Sequence, residues 1–462
     1  MSNKEHKRAD LFDYQQRGAT WLASRKYGLL ADEMGLGKSA QAITACDTIG
    51  HLPILILCPA VARLNWIREW QKFSSRTLTA VALLTSEQAK QPLGDVTICS
   101  YNLTSDSEVM FSLLRRRWAV CVADEAHYLK ELTAGRTKNV LGKGGLVHRC
   151  DRFWLLSGTP APNHQGEVWA MLYVFGVTKL DREAFYDRYT VQKEVPIKTK
   201  RGAVITRTSV VTGKNIPELR EVIARFMLRR LKRDVMPDLP KILFAETIVE
   251  ASEVPVHKWE EHFAGYVLDP SKFWTDIDRQ TRVVETLFDE NIKALDILEH
   301  KVPTLRQWVG LQKVASVAAI IKDELDRNEY QKVVVFGVHR AVLQEIRNEL
   351  RAYGAVLVYG GTPAKARDEY VRKFQNDPKY RVFVGNIQAA GTAITLTAAH
   401  HVVFVEADWN PSNNAQAAMR VHRIGQTQPV TVRFMSLADS IDEKVQRVLK
   451  NKTKALTELF GE

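Results

Sequence analysis

The stretch that most limits what this chain can fold into is residues 31–39, Ala-Asp-Glu-Met-Gly-Leu-Gly-Lys-Ser. It follows the apolar run Gly28, Leu29, Leu30, and after it Ile43, Cys46 and Ile49 recur every three residues, so the order is strand, glycine loop, helix. That order builds a cradle for an anion. Gly35 and Gly37 let backbone N–H groups turn toward a phosphate, Lys38 supplies a cation for β and γ phosphates, and Ser39 brings a hydroxyl for Mg²⁺ where the helix opens. The strict nucleotide-loop pattern has a glycine five residues before the last one, where this chain has Asp32. On the loop alone, a glycine-rich turn with a chance Lys-Ser stays open until a carboxylate motif is found.

Apolar runs that end in polar clusters recur through the first half. Residues 54–58 are apolar and stop at Pro59, the pattern of a parallel strand buried on both faces, and a helix carrying Leu64, Trp66, Ile67 and Trp70 follows. Residues 96–99 end at Ser100 and Tyr101, 118–123 end at Asp124, Glu125, Ala126 and His127, and 153–156 end at Ser157, Gly158, Thr159 and Pro160. Strands alternating with helical segments predict an open parallel α/β sheet with its site at the carboxyl ends. Ahead of the glycine loop, residues 10–24 read as a short helix, in which Phe12 and Gln15 could meet a purine ring and its edge, or could be a core aromatic and a surface amide.

The pattern loosens over 177–219, a β-branched, glycine-containing stretch with Lys193, Lys198, Lys200 and Arg201 that reads as an insertion. Residues 225–234, with Arg229, Arg230, Lys232 and Arg233, read as a basic helix. Pro237 and Pro240 set the boundary beyond it, giving domains 1–240 and 241–462. Residues 256–329 are mostly helix formers, with Trp259, Phe263, Tyr266, Phe273 and Trp274 among charges, and read as a helical protrusion. Strand-like runs resume at 333–336, 356–359, 382–385, 401–405 and 430–434, so a second α/β lobe is expected. A length of 462 residues accommodates two or three domains of about 150 residues each.

Asp124 and Glu125 stand where an apolar strand stops, so two carboxylates enter the crevice beside the phosphate loop. Asp124 is expected to hold Mg²⁺ through its water shell and Glu125 to polarise the attacking water, which with Lys38 upstream weighs against a chance turn. His127 has no partner histidine at ligand spacing and reads as a helix-start residue. Near the end of the chain, Gln416, Arg420 and Arg423 are spaced to fall on one helix face. From the second lobe, two guanidiniums aimed in one direction could reach a γ-phosphate held by the first; a solvated basic helix is the alternative.

Residues 32–39, 124–127, 156–160 and 420–426 read Asp-Glu-Met-Gly-Leu-Gly-Lys-Ser, Asp-Glu-Ala-His, Leu-Ser-Gly-Thr-Pro and Arg-Val-His-Arg-Ile-Gly-Gln. They occur in the order seen in Swi/Snf-type ATPases of helicase superfamily two, which the chain resembles over nearly its whole length. Within that family it looks most like the annealing-helicase branch, on Cys58-Pro59-Ala60 followed by Leu64-Asn65-Trp66 and on its compact core. The resemblance implies an α/β fold of two RecA-like parallel-sheet lobes with helical insertions, the helicase superfamily two core. It implies ATP hydrolysis with Mg²⁺ stimulated by DNA, translocation on duplex DNA, and remodelling of DNA structures or DNA–protein complexes, with fork or strand annealing in DNA repair as the role considered.

The same resemblance assigns nucleotide contacts to Phe12, Gln15, Gly35, Leu36, Gly37, Lys38, Ser39 and Ala40, with Gln15 at the adenine. It assigns Mg²⁺ to Ser39 and Asp124, largely through water, and catalysis to Lys38, Asp124, Glu125, Gln416, Arg420 and Arg423. It lays Ser100, Tyr101, Gly361, Thr362 and Gly391 along the DNA backbone, a reading compatible with backbone N–H groups and cationic grooves rather than base readout. Ala393 stands where the family has a second glycine after Gly391. No accessory reader, zinc or DNA-specificity domain is left over, which weighs against chromatin remodelling.

A net charge of +12 and a sequence pI near 9.3 favour a polyanionic partner, here duplex or branched DNA bound by a monomer. No run of about 18 apolar residues could cross a bilayer, and residues 1–10 are polar, without a signal peptide. The expected location is inside the cell on DNA, cytoplasmic for a bacterial or viral source and nuclear for a eukaryotic one. Four of the five cysteines, Cys46, Cys58, Cys99, Cys121 and Cys150, lie beside apolar residues and read as buried thiols of a reducing compartment. Two other functions stay open. An RNA-directed helicase of the same superfamily is opposed by residues 420–426, and a non-hydrolysing DNA-binding scaffold by intact Lys38, Asp124, Glu125 and Arg423.

Overall fold

The apolar runs become parallel strands covered on both faces, as their lack of alternation requires. The computed structural model describes residues 10–198, 204–254, 262, 303–390, 394–438, 440–443, 445–446 and 449–450. They fall into two units, the first running to Pro237 and the second starting at Asp238. The first holds β1 (Tyr27–Leu30), β2 (Ile54–Cys58), β3 (Ala80–Ala82), β4 (Val96–Ser100), β5 (Trp118–Asp124), β6 (Cys150–Leu156), β7 (Thr190–Lys198), β8 (Val204–Gly213) and β9 (Met227–Leu228). All but β7 and β8 form one parallel sheet in the order β3-β4-β2-β5-β6-β1-β9. Every residue of β2 is 0% exposed. The carboxyl ends of β1 and β5 therefore open on the same edge of one sheet, β6 between them.

β7 and β8 pair with each other as an antiparallel hairpin apart from both parallel sheets, so the loosened stretch at 177–219 is an excursion from the sheet. It also contains the helix Arg182–Tyr189, and the helix Ile216–Ala224 begins within it. Lys200 and Arg201 lie outside the described residues.

The second unit holds β10 (Ile242–Val249), β11 (Val333–Gly337), β12 (Val356–Val358), β13 (Val382–Asn386), β14 (His401–Phe404) and β15 (Val430–Leu437), parallel in the order β10-β15-β14-β11-β13-β12. Alternate residues of β11 feed opposite faces: Val333 and Val335 pack with Val403, Ile321 and Leu325, while Val334 and Phe336 pack with Phe383 and Phe404. Ile321 and Leu325 belong to the helix Pro303–Asp326, which lies within the 256–329 stretch expected to protrude but packs into the core of the second unit instead. Trp259, Phe263, Tyr266, Phe273 and Trp274 lie outside the described residues. No described helix is long and apolar enough to cross a membrane.

Two expectations about local structure are corrected. Residues 225–234 are not one basic helix: Met227 and Leu228 form β9 beside β1, and only Lys232–Val235 is helical. The edge ladder explains this, because Leu29, Ala31 and Glu33 N–H donate to the Phe226, Leu228 and Arg230 carbonyls at 2.9, 2.7 and 2.9 Å. The chain also forms β10, which begins on the apolar residues 242–245 and is not among the expected strands; it is an edge strand on which Leu243, Phe244 and Ile248 are 56%, 58% and 54% exposed.

Inside the second unit Lys313 is 1% exposed. Its ammonium pairs with Asp442 Oδ2 at 2.5 Å and donates to the carbonyls of Met435, at 3.0 Å, and Val405. It thus joins the helix Pro303–Asp326 to β15, to the end of β14 and to the segment after β15. Lys313→Ala leaves those acceptors and a carboxylate without their cation, and is expected to destabilise the second unit by about 3 kcal/mol in chemical denaturation. A loss under about 1 kcal/mol, that of an exposed pair, would contradict this.

Candidate functional site

Between β1 and the helix Lys38–Ile49 the chain turns through Gly35 and Gly37, with φ of 89° and 73°. A Cβ on Gly37 would also lie 2.3 Å from Gln15 Nε2, so glycine is required there twice over. Gln15 is 4% exposed; its amide donates to the Leu36 carbonyl at 3.2 Å and its Oε1 accepts the Phe12 N–H at 3.1 Å. Phe12 is 48% exposed and stacks on Tyr14 at 5.9 Å. Neither is the core aromatic or the surface amide of the alternative reading. Leu36 and Ala40 are buried, so their side chains are packed away from solvent. Ser39 is the second residue of the helix and partly open.

Lys38 donates from Nζ to the loop's own carbonyls, Asp32 at 2.7 Å and Glu33 at 3.3 Å. Burial pushes its ammonium below the ordinary lysine value, against the opposing carboxylates of Glu125, Asp32 and Asp124. Gly158, after β6, comes so close that a Cβ there would lie 3.2 Å from Nζ and 2.5 Å from Met34 Cγ. The Ser-Gly-Thr-Pro turn and the phosphate loop therefore share one small space.

Asp32, the departure from the strict loop pattern, is 0% exposed and belongs to a network that residue spacing did not reveal. Arg230 grips its carboxylate from two sides, Nε to Oδ1 at 2.9 Å and Nη2 to Oδ2 at 2.5 Å, and also donates to Gln41 Oε1 at 2.7 Å and to the Tyr14 carbonyl. Gln41 returns a bond to Asp32 Oδ2 at 3.0 Å. Arg229 donates to the Ala31 and Gly158 carbonyls at 2.8 and 3.2 Å; burial lowers its guanidinium to about 10, with Glu33 and Asp32 opposing. A carboxylate in the loop was itself the available signal, because a buried one needs a cation somewhere in the chain.

Asp124 ends β5 and Glu125 follows in the left-handed region, at φ 50°. Trp66 Nε1 donates to Asp124 Oδ2 at 2.9 Å, a contact with no sequence signature, and the Glu125 N–H donates to Oδ1 at 3.0 Å. Burial and the Glu125 charge push the Asp124 carboxyl up to about 6, although the Trp66 bond and Lys38 oppose them. His127 Nδ1 lies 3.4 Å from both Glu125 Oε2 and Ser157 Oγ, and burial with the Lys130 charge lowers it to about 4, so it is neutral at pH 7. It links Glu125 to the Ser-Gly-Thr-Pro turn. Among the described residues no three His, Cys, Asp or Glu side chains gather around a metal. Held by Ser39 and Asp124, a Mg²⁺ ion would need phosphate oxygens and water as its further ligands.

The side chains of Ser100 and Tyr101 turn inward, each 1% exposed, and the Tyr101 hydroxyl donates to the Asp124 carbonyl at 2.6 Å. In the second unit Gly361 is exposed, and Thr362 Oγ accepts the Tyr359 N–H at 3.0 Å; Gly391 and Ala393 lie outside the described residues. Glu406, missed by sequence reasoning, accepts the N–H groups of Val338 and His339 at 2.9 and 2.8 Å and meets His339 Nδ1 at 2.6 Å. Burial alone would raise its carboxyl, but His339, Arg306 and those donors hold it at about 2.

Gln416, Arg420 and Arg423 do not share a helix face. The helix Pro411–Ala418 contains only Gln416, which is 7% exposed. Beyond it the chain tightens, with Arg420 and Val421 N–H donating to the Ala417 and Ala418 carbonyls at 3.1 and 3.0 Å, because Val421 is 0% exposed and His422 is tied to the Pro240 carbonyl at 2.7 Å. Arg423 Nη1 donates to Thr395 Oγ at 2.9 Å and to the Ile394 carbonyl at 3.2 Å, and Gly425 turns the chain with φ 97°.

The family profile described as SNF2-related domain matches residues 14–300, and the helicase conserved C-terminal domain matches 313–425. The chain is 28% identical to the Drosophila melanogaster SWI/SNF-related matrix-associated actin-dependent regulator of chromatin subfamily A-like protein 1, over 99% of this chain and 57% of that protein. It is 29% identical to the Mus musculus DNA annealing helicase and endonuclease ZRANB3, over 97% of this chain and 40% of that protein. The chain thus spans about half the length of these curated relatives. A solved structure, the Sulfolobus solfataricus SWI2/SNF2 ATPase core in complex with dsDNA, is matched at 24% identity and a TM-score of 0.44, over 99% of this chain and 94% of that chain.

Proposed function

We propose, because the chain belongs to the SNF2-related domain family, that it is a DNA-dependent ATPase that moves on duplex DNA and remodels DNA structures or DNA–protein complexes. The observation that carries the reading is the meeting of Lys38, Asp124, Glu125 and the Gly158 turn at the carboxyl ends of β1, β5 and β6. A cation, a pair of carboxylates and a glycine loop held around one small space are what phosphoryl transfer to water requires. Within the family the chain resembles the annealing-helicase branch, and we take DNA annealing as its task, on the name of the mouse relative.

In this reading Gly35, Gly37, Lys38 and the backbone around Leu36 and Ala40 receive the phosphates of ATP, and Phe12 and Gln15 stand at the adenine. Ser39 and Asp124 would hold Mg²⁺, which supplies charge neutralisation at the phosphates. Glu125 orients the attacking water. Gln416, Arg420 and Arg423 are assigned to turnover rather than to nucleotide binding, and the segments around Ser100, Tyr101, Gly361, Thr362 and Gly391 to the DNA backbone. The protein is taken to work as a monomer on duplex or branched DNA.

The test is ATP turnover with duplex DNA, branched DNA, single strands and RNA, with duplex affinity measured across salt concentrations. Duplex or branched DNA is expected to stimulate most. With roughly 6 phosphates neutralised, log affinity should fall against log salt with a slope near −5, with little preference for sequence. Stimulation by RNA alone would turn the reading to an RNA-directed helicase, and DNA binding without hydrolysis to a scaffold.

A further inference from the structure

Trp66 is a buried residue of the helix Arg63–Phe73, which follows β2, and it is 2% exposed. β2 runs beside β5 with Leu57 opposite Ala123, so the chain leaves β2 for this helix next to the place where β5 delivers Asp124. The indole spans the gap, its Nε1 donating to Asp124 Oδ2 at 2.9 Å. The indoles of Trp118, Trp154 and Trp169 donate instead to the backbone carbonyls of Leu113, Arg25 and Leu180, ties that belong to the fold. Trp70, four residues along the same helix, is also 2% exposed, and its Nε1 has no hydrogen-bond partner among the described residues. Packing an indole under this helix therefore does not itself require the bond that Trp66 makes.

A carboxylate offers about four lone-pair sites on its two oxygens. At Asp124 the Glu125 N–H takes one on Oδ1 at 3.0 Å and the Trp66 indole takes one on Oδ2. The Tyr101 hydroxyl holds the main chain of the same residue through its carbonyl at 2.6 Å, and the Tyr101 ring is itself stacked on Tyr128 with centroids 5.3 Å apart. The backbone and both oxygens are thus pinned, and one lone pair on each oxygen is left over. An indole N–H is a neutral donor that does not titrate. It fixes the plane of the carboxylate without cancelling its charge, as a lysine or arginine in the same place would. A carboxylate that shares a divalent cation needs both conditions, its charge kept and its orientation set from behind.

We infer that Trp66 is a positioning residue of the proposed nucleotide site, its indole N–H holding the Asp124 carboxylate in the orientation that receives the water shell of Mg²⁺. This rests on the ATPase reading and deepens it by naming the helix that sets the metal-binding carboxylate. Trp66 acts through Asp124. The carboxylate and the helix Arg63–Phe73 then move together, so a shift of that helix alters metal loading without any change in the phosphate loop.

The experiment is titration of a fluorescent, non-hydrolysable ATP analogue at varied Mg²⁺ and in EDTA, for the wild type, Trp66→Phe, Asp124→Asn and the double variant, with melting of each protein alone. Trp66→Phe keeps an aromatic ring in the core and removes the N–H. It is expected to raise the Mg²⁺ concentration for half-maximal binding about tenfold, the low end for losing a partner behind a metal ligand, and to leave the affinity in EDTA unchanged. Asp124→Asn should raise the same midpoint, and adding Trp66→Phe to it should raise it no further, because the charged group that the indole orients is gone. Should Trp66→Phe fail to fold, benzothienylalanine at position 66, with sulfur in place of the N–H and nearly the same shape, gives the same comparison. If the wild type responds to Mg²⁺ and the variant responds at the same concentration, the positioning role is wrong and the ATPase reading stands. An affinity lowered equally with Mg²⁺ and in EDTA, or a lower melting temperature with an unchanged midpoint, assigns the indole to packing and overturns the inference. A wild type that binds the analogue no better with Mg²⁺ than in EDTA overturns the metal site, and this inference with it.

Discussion

Lys38→Ala is expected to lower DNA-stimulated ATP turnover by on the order of 10³-fold while the protein stays folded. The lysine amine is spent on the carbonyls of Asp32 and Glu33, bonds that hold it over the loop. Losing such charge-assisted bonds costs about 1.5–3 kcal/mol each, less than the stability of the unit, and the turn itself is kept by Gly35 and Gly37. The catalytic loss has a different origin. Lys38 carries a positive charge into a space that it shares with Asp124 and Glu125, and without it those carboxylates face phosphate oxygens with only Arg229 as a neighbouring cation among the described residues. Phosphate release and thermal melting together check the expectation. Turnover near the wild-type rate would sink the assignment of the loop, and a variant that fails to melt cooperatively would show that the lysine serves the fold.

Glu125→Gln is expected to cost on the order of 10³ in turnover and to leave nucleotide affinity within a few-fold. Glutamine keeps the shape that sits 3.4 Å from the His127 ring but loses the charge that polarises water. The substitution has a second consequence with a definite sign. The Glu125 charge is one of the causes that push the Asp124 carboxyl up to about 6, so neutralising it lets Asp124 ionise at lower pH. Metal-dependent nucleotide binding by Glu125→Gln should therefore persist to lower pH than in the wild type. Fluorescent-nucleotide titrations over pH beside single-turnover hydrolysis separate the two effects. Wild-type hydrolysis in the variant, or a defect seen only in binding, would remove Glu125 from the chemistry.

The strands that position these groups were legible because they are buried on both faces. β2 and β11 are unbroken apolar runs, every residue of each buried. β10 was not legible, since an edge strand with Leu243, Phe244 and Ile248 exposed has neither a buried run nor clean alternation. The loop and the Asp-Glu pair were legible as local motifs, because the phosphate cradle is made of neighbouring residues. What holds them was not. Trp66 reaches Asp124 across 58 positions, and its partner is set by the neighbouring strands β2 and β5, not by spacing. Periodicity also misled at Arg420 and Arg423, where the 3.6-residue period continues in the sequence after the helix has stopped at Ala418. Burying Val421 and tying His422 to Pro240 outweighed helix propensity there.

The grip of Arg230 on Asp32 spans 198 positions of chain. A ribosome making this protein releases the glycine loop early and the arginine that neutralises its buried acid almost at the end of the first unit. At about 5–20 residues per second the wait is some ten seconds or more, during which β1 lacks its β9 edge and Asp32 its counter-ion. The nascent loop therefore cannot settle before β9 emerges, and the proposed nucleotide site is complete only in a finished first unit. Growth of the intervening chain at the β7–β8 hairpin lengthens that wait without touching the loop, whereas a stop anywhere before Arg229 leaves a fragment with every residue of the phosphate loop and no arginine to neutralise its buried Asp32.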